Sequence, residues 1–243
     1  MTGGQRQPNE AAPTAATACA ADDAASFTAR ASPTEVMPNN PIEQTYVPLN
    51  GKSYSNAAVL AVLEPRGGFD IIKTQSVEAT DEHLVATKVD APSRTALELN
   101  DKPAPKAYAA VGVSAEEAAN RFMSNPLGLM VGDEPCIRSP QQINDGKMTF
   151  YCNIRDGMEL RVMRSTDIVA DTRNALEAKL GELGKIAGIV DFHFILRTLE
   201  LAQQAQCDAY GEVFSAVPTV GFSTYGEEHI GHINQTLTML VFK

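Results

Sequence analysis

The sequence predicts an α+β fold in which helices pack on a mixed, largely antiparallel sheet. Short apolar runs of strand length outnumber the segments with helical spacing. Asp156 and Gly157 separate two alternating runs, and Asp-Gly is a strong hairpin signal because glycine takes the positive φ of the turn. The chain shows no internal repeat. Strands that pair partly as hairpins, with helices between them, favour one mixed sheet.

Composition and charge restrict the class of protein. Of the 243 residues, 44% are hydrophobic and 21% are charged, which is typical of a globular protein. The formal net charge of -10 and the pI near 4.9 argue against a protein that binds nucleic acid or an anionic membrane. No apolar run reaches 18 residues and the N-terminus lacks the apolar core of a signal peptide, so we expect neither a membrane span nor a leader.

The cysteine pattern predicts the compartment. Cys19, Cys136, Cys152 and Cys207 are widely spaced, and the absence of a C-x-x-C pair excludes a zinc knuckle and a redox dithiol. Scattered cysteines in a chain of this length are typical of reduced thiols, so we expect a cytoplasmic protein.

Residues 1–41 differ in composition from the rest of the chain. Ala, Thr, Pro, Ser, Asn and Gln dominate the segment, and Phe27 is its only aromatic residue. Such a segment cannot bury enough apolar surface to offset its ordering entropy, so we expect it to be disordered. Residues 1–5 also resemble part of an expression tag, which makes a foreign origin the alternative.

Four short strands are predicted between residues 57 and 99. Each is an apolar or alternating run, and turn residues such as Pro65, Gly67 and Gly68 separate them. They lie at 57–63, Phe69–Thr74, 84–89 and Thr95–Leu99. The first run is apolar throughout, so we expect it to be buried.

Two helices are predicted next. Turn residues lead into the first helix, which carries Tyr108 and Val111. Ser114 and Glu117 form a capping-box pattern, which predicts a second helix that runs through Phe122.

The C-terminal half is predicted to alternate between strands and helices. Residues 125–146 are rich in Pro, Gly, Asn and Asp and are expected to form a long connection. The predicted elements are a hairpin of strands 148–154 and 158–164, a helix at 167–185, a strand at 188–195, a helix at 196–207, and strands at 213–220 and Leu237–Phe242. We expect 188–195 and Leu237–Phe242 to be the central strands of one core.

No catalytic motif is present. Segment 221–226 is one residue longer than the G-x-S-x-G elbow and lacks its strand-turn-helix context. Ser223, His229 and Asp208 supply the residue types of a triad, but a triad is recognised by geometry and not by composition. Neither a G-x-G-x-x-G motif nor a Walker lysine occurs. We therefore expect that the protein is not an enzyme.

A metal site is the next possibility near the C-terminus. His229 and His232 lie beside Glu227 and Glu228, and these ligand types suit zinc or iron. On a strand, residues three apart point to opposite faces, so both histidines can bind one ion only if Gly231 turns the chain. Alternatively, His229 is exposed and His232 orders the loop through a hydrogen bond.

The polar loop at 221–236 is the main candidate for a binding site, because two strands fix what this glycine-hinged segment presents. Its flanking side chains should meet the residue that ends the apolar strand at 188–195, since binding sites commonly lie where strand ends and loops converge. The residues that we expect near the rim of one pocket are Arg197, Tyr225, Glu227, His232 and Asn234.

Two single residues have alternative roles. The alternative for Arg197 is an internal ion pair, either with Asp191 or Glu200, which holds the strand to the helix, or with Glu227, which ties the loop to the helix. His83 is typical of a solvated strand-edge residue, but a lone histidine that faces an apolar pocket can be an axial ligand of haem.

Three C-terminal segments together resemble the C-terminal half of FIST sensory proteins. They are DFHFILR at 191–197, PTVGFSTYGE at 218–227 and HINQT at 232–236. Upstream, ELNDKPA at 98–104 resembles a turn of the same family, with Asp101 where glycine is usual. Phe194 stands where the family often has a cysteine, which weakens any carry-over of thiol chemistry.

The resemblance covers residues 45–243 and implies a domain plan. A FIST C domain is expected at 101–243, and a remnant of the N-terminal FIST domain with its junction at 42–100. Residues 1–41 precede both.

The resemblance also implies a function. The chain is expected to be a non-catalytic intracellular sensory domain that binds a small ligand and signals to a histidine kinase, a chemoreceptor or a cyclic-nucleotide enzyme. The alternative that it implies is a haem-based nitric oxide sensor, with His83 or His232 as the axial ligand. A metal-dependent hydrolase around His229 and His232 is the third hypothesis.

Overall fold

The computed structural model describes residues 25–30, 46–55, 57–111, 121–229 and 232–243. The chain divides into two compact units, residues 1–66 and residues 67–243. Among the described residues, no helix combines the length and the apolar character needed to cross a membrane.

The described strands of the first unit form two antiparallel pairs. They are β1 (Ala25–Arg30), β2 (Tyr46–Leu49), β3 (Lys52–Ser55) and β4 (Ala58–Leu63). β1 pairs with β4, and β2 pairs with β3. Asn50 and Gly51 join β2 to β3 with φ angles of 52° and 76°, the left-handed values that a two-residue hairpin loop requires.

Two expectations for the first unit differ from the structure. We expected disorder across 1–41, whereas Ala25–Arg30 is a strand, and the other residues of that segment lie outside the described part of the chain. The run at 57–63 does contain a strand, but Leu60, Val62 and Leu63 are exposed, so the prediction of burial is wrong. An apolar run indicates strand propensity, whereas burial needs a second layer that the run does not specify.

The second unit contains two larger sheets and four described helices. In chain order its elements are β5 (Phe69–Thr74), β6 (Val77–Asp90), β7 (Thr95–Leu99), β8 (Lys102–Pro103), α1 (Ala104–Ala110), β9 (Leu127–Val131), β10 (Glu134–Arg138), β11 (Pro140–Asn144), β12 (Lys147–Phe150), β13 (Glu159–Ser165), α2 (Ile168–Leu183), β14 (Gly188–Phe194), α3 (Ile195–Gln203), α4 (Cys207–Val213), β15 (Thr219–Thr224), β16 (Glu227–Glu228), β17 (His232–Ile233) and β18 (Leu237–Phe242). The predicted α+β class is confirmed.

The first sheet is antiparallel and has eight strands. Its order is β10-β9-β13-β6-β7-β12-β11, with β8 paired to β7. α1 packs against β7 and β12, and its Tyr108 is fully buried with Leu99 and Phe150. The Tyr108 hydroxyl donates to the carbonyl of Asn125, which satisfies the polar end of a buried ring.

Strand pairing in this sheet differs from the sequence prediction. Residues 125–146, expected to be a connection, contain β9, β10 and β11. The predicted hairpin around Gly157 is wrong, because β12 pairs with β7 and β11, while β13 pairs with β6 and β9. Local alternation identifies a strand but not its partner. Most of the helix predicted from Ser114 to Phe122 lies outside the described residues.

The second sheet has four strands in the order β15-β14-β18-β5. β14 and β15 are parallel, and the other neighbours are antiparallel. The predicted central strands, β14 and β18, are confirmed. α2 covers this sheet, with Leu176 packed in one core with Ile189, Leu237 and Met239.

The helices around this sheet agree only in part with the prediction. α2 is confirmed, and the Asp167 side chain caps it by accepting a hydrogen bond from the Ala170 amide. The strand expected at 213–220 is wrong, since α4 ends at Val213 and β15 begins at Thr219. Val213 and Val217 are both buried in the core. Residues 214–218 instead form the turns that join α4 to β15.

We expect Leu237→Ala to lower the free energy of unfolding by about 2–5 kcal/mol, the range for truncating a buried leucine. Leu237 is fully buried in the core of the second sheet. Urea-induced unfolding measures the change. Leu199→Ala is the control, because Leu199 on α3 is 43% exposed. An equal, small loss for both variants would contradict the placement of β18.

Candidate functional site

Arg197 is the most deeply buried cation of the second sheet, with only 2% of its surface exposed. It lies in the first turn of α3, directly after β14, and side chains of a first turn lean back toward the helix N-terminus. Its Nε donates to Nε2 of His193 at 3.0 Å, and its two terminal nitrogens donate to Ser76 Oγ at 3.0 Å and Thr172 Oγ1 at 3.4 Å. One guanidinium therefore joins β14, α2 and the turn between β5 and β6.

His193 is the neutral partner of this guanidinium. Burial and, to a smaller extent, the charge of Arg197 lower the pKa of His193 to about 3. Because Nε2 accepts from Arg197, the ring proton belongs on Nδ1, which lies 3.5 Å from Thr198 Oγ1. The ring stacks on Tyr210, with centroids 4.8 Å apart and planes inclined by 11°.

Two buried carboxyl groups lie in the electrostatic field of Arg197. Burial raises the pKa of Asp191 to about 7, and the charge of Arg197 opposes this only in part. Burial also raises the pKa of Glu227 to about 7, against the hydrogen bonds from its threonine neighbours and the charge of Arg197. Neither carboxylate forms a direct ion pair with Arg197 within the described structure. Asp191, His193, Arg197, Tyr210 and Glu227, with Ser76 and Thr172, are called the Arg197 cluster below.

Glu227 also joins two strands. Its Oε1 accepts from the Thr224 hydroxyl at the end of β15, and its Oε2 accepts from the Thr236 hydroxyl just before β18. Its backbone pairs with Ile233 between β16 and β17. The polar loop is therefore fastened to the sheet at both ends through one carboxyl group.

Several buried polar atoms near these residues have no hydrogen-bond partner among the described residues. They include Asp191 Oδ1 and Asn234 Oδ1. Asn234 is 1% exposed and directly follows Ile233, the register partner of Glu227. Native proteins rarely bury a polar atom without a partner, so these atoms are candidates for contact with a ligand.

The structure locates the predicted ligand-binding residues at different depths. Arg197, Glu227 and Asn234 are buried, so they do not form an exposed rim. Tyr225 is half exposed, and the side chain of His232 lies outside the described structure. Whether all five residues line one pocket stays a prediction. The alternative ion pairs of Arg197 with Glu227, Asp191 or Glu200 do not form as direct contacts within the described structure.

The other candidate residues have ordinary surroundings. His83 is exposed on β6 opposite Arg161, and its ligation of haem stays a prediction. Ligation of haem by His232 stays a prediction. No group of three or more metal-ligating side chains lies together in the described part of the chain. Ser223 bonds to Thr198 at 2.8 Å, and no described hydrogen bond links it to His229 or Asp208.

Sequence reasoning missed three members of the Arg197 cluster. Ser76 and Thr172 are neutral hydroxyl residues, and nothing in their local sequence marks them as partners of a distant arginine. Tyr210 lies on α4, a helix that was not predicted. The sequence does place Asp191 and His193 on one strand face just before Arg197. This pattern indicates the residues at the centre of the cluster, but not the partners that distant segments contribute.

Comparisons with known families match nearly the whole described chain. A model of the FIST N domain matches residues 18–102, and a model of the FIST C domain matches residues 104–229. The resemblance found in the C-terminal motifs therefore understated the match, which begins inside the segment expected to be disordered or foreign. A search of curated proteins and a search of solved structures both returned no match.

We expect the free energy of unfolding to fall as pH rises from about 4.5 to about 7, because Glu227 holds a proton in the folded state that the unfolded chain has released. A raised carboxyl pKa stabilises the fold fully below the unfolded value, and this stabilisation is lost as pH rises through the folded value. One such group contributes a slope of up to about 1.4 kcal/mol per pH unit. Urea-induced unfolding across this window should give a shallower slope for Glu227→Gln than for the wild type. Parallel slopes, with native circular dichroism of the variant, would contradict the buried protonated state.

Proposed function

The chain belongs to the FIST family, whose domains are sensory domains associated with signal transduction, and on this basis we propose that it is a non-catalytic input domain that binds a small ligand. We propose that the ligand binds beside the Arg197 cluster in the second unit. The segment between β15 and β18, residues 225–236, would lie over it, since Glu227 fastens that segment to the sheet at both ends.

The observation that carries the proposal is two buried oxygen acceptors, Asp191 Oδ1 and Asn234 Oδ1, which have no hydrogen-bond partner among the described residues. A buried acceptor left without a hydrogen bond costs about 1–3 kcal/mol. A ligand that supplies N–H or O–H donors would remove this cost. Both residues lie close to Glu227. The charge of Asp191 raises the pKa of the Glu227 carboxyl group, and Asn234 directly follows Ile233, which pairs with Glu227.

The remaining predicted residues have supporting roles in this proposal. Arg197 holds His193, Ser76 and Thr172 in place and supplies positive charge that helps Asp191 to ionise when a cationic donor arrives. Tyr225 and His232 lie on the loop, where they would contact the outer side of the ligand. A ligand that orders this loop would change the surface that a signalling partner reads.

We propose a histidine kinase, a chemoreceptor or a cyclic-nucleotide enzyme as that partner, following the family's role in signalling.

We also propose a cytoplasmic location. Its support is the cysteine pattern, in which Cys136, Cys152 and Cys207 are all free thiols.

We expect ethanolamine and glycine, which both carry an ammonium group, to raise the melting temperature, whereas acetate, which has no donor, should not. The physical reason is that a ligand that binds only the folded state adds about 2.7 kcal/mol of stability at 100 times its Kd. Asp191→Asn should abolish the response, since it removes the charge that attracts the ammonium group. Differential scanning fluorimetry measures the shift.

Asp208→Asn is the matched control, because Asp208 is exposed on α4 and should leave the response intact. A response to acetate and not to ethanolamine would mean that the site takes anions at Arg197. A response that survives in Asp191→Asn would place the binding site elsewhere.

A further inference from the structure

β15 is the edge strand of the four-stranded sheet, and one row of its backbone groups points away from β14. The Ile189 amide donates to the Pro218 carbonyl, so β14 bonds to the even-numbered residues of β15. Backbone groups alternate in direction along a strand, and those of Thr219, Gly221 and Ser223 therefore point outward. The described residues offer them no backbone partner.

This edge lacks the features that normally prevent strand pairing. Natural edge strands carry charges, prolines or bulges that block the approach of another strand. No charged residue occurs between positions 213 and 226, although 21% of the chain is charged. Val220 and Phe222 lie on one face of β15 and are 68% and 57% exposed.

The sequence of β15 is complementary to itself when it is inverted about Gly221. In an antiparallel pair centred on that residue, Val220 lies opposite Phe222 of the second copy, and Thr219 lies opposite Ser223. Apolar side chains then face apolar side chains, hydroxyls face hydroxyls, and the three outward residues form the hydrogen-bonded pairs of the ladder. The chain has a net charge of -10, but β15 itself carries no charged residue, so no like charges face each other across this contact.

We propose that β15 is a dimerisation edge that pairs antiparallel with β15 of a second copy of this chain, in the register centred on Gly221. Two four-stranded sheets become one continuous sheet with a two-fold axis at its centre. Val220 and Phe222 of both copies form the apolar centre of the contact.

The dimerisation edge is connected to the Arg197 cluster. The Ser223 hydroxyl bonds to Thr198 Oγ1 at 2.8 Å, and Thr198 Oγ1 lies 3.5 Å from Nδ1 of His193. The other ring nitrogen of His193, Nε2, accepts from Arg197. Gly221 packs so closely on β14 that an added Cβ would lie 2.5 Å from the Asp191 carbonyl oxygen. β15, the strand that would pair across the dimer, therefore lies directly against β14, which carries Asp191 and His193.

Light scattering after gel filtration tests the proposal with the full chain over a range of concentrations. The wild type should show twice the chain mass of 26.1 kDa. Phe222→Lys and Val220→Lys place a charge in the apolar centre and should give the mass of one chain with native circular dichroism, although Phe222→Lys also removes the edge contact of Phe222 with Phe192. Val131→Lys is the control, because Val131 is 59% exposed on β9 of the other sheet, and this variant should remain a dimer.

Several outcomes would overturn the proposal. A wild type with the mass of one chain at every concentration would do so, as would a Phe222→Lys variant that remains a dimer.

Cross-linking tests the register separately. The double variant Thr219→Cys with Ser223→Cys, in a chain that carries Cys207→Ser, should form a disulfide-linked dimer on oxidation, because the two positions face each other across the axis. Thr219→Cys alone should not, since its partner in the second copy is Ser223. Equal cross-linking of the single and double variants would reject the register centred on Gly221.

Discussion

The buried guanidinium of Arg197 is the constraint on which the second sheet depends. Removing a charged group from water costs several kcal/mol unless hydrogen bonds replace its hydration. Here the replacement comes from an imidazole and two hydroxyls on three separate elements: His193, Thr172 and Ser76. β14, α2 and the turn after β5 must therefore meet at one place, because only together do they satisfy this cation.

Neutral acceptors around a cation leave its charge available to more distant groups. Asp191 and Glu227 are influenced by Arg197 without bonding to it, and burial keeps the pKa of each carboxyl group near neutrality. A small change in hydration or in local charge can therefore shift their protonation. A domain that must respond to its surroundings benefits from groups held near their titration point, because little free energy is needed to change their state.

Local sequence pattern predicted the elements whose signal is complete within their own residues. α2 has a capping aspartate and helical spacing, and β14 and β18 are apolar runs between turns. β9, β10 and β11 were missed because Pro135, Gly128 and Gly132 give that region the composition of a loop.

The candidate site was likewise predicted only where its residues belong to local motifs. Arg197, Glu227 and Asn234 were identifiable from local motifs, whereas Ser76 and Thr172 gain their role only from the long-range convergence of the fold.

The position of β18 between β14 and β5 has a consequence for how the protein forms. The register pairs Phe69 with Phe242 and Thr74 with Leu237, so nearly the whole second unit separates these partners in sequence. During synthesis β5 emerges early and has no strand to pair with until β18 leaves the ribosome. Contacts of such high sequence separation make folding slow and leave β5 and β14 open to wrong partners in the meantime. The second sheet can therefore be completed only after the last strand of the unit has been made.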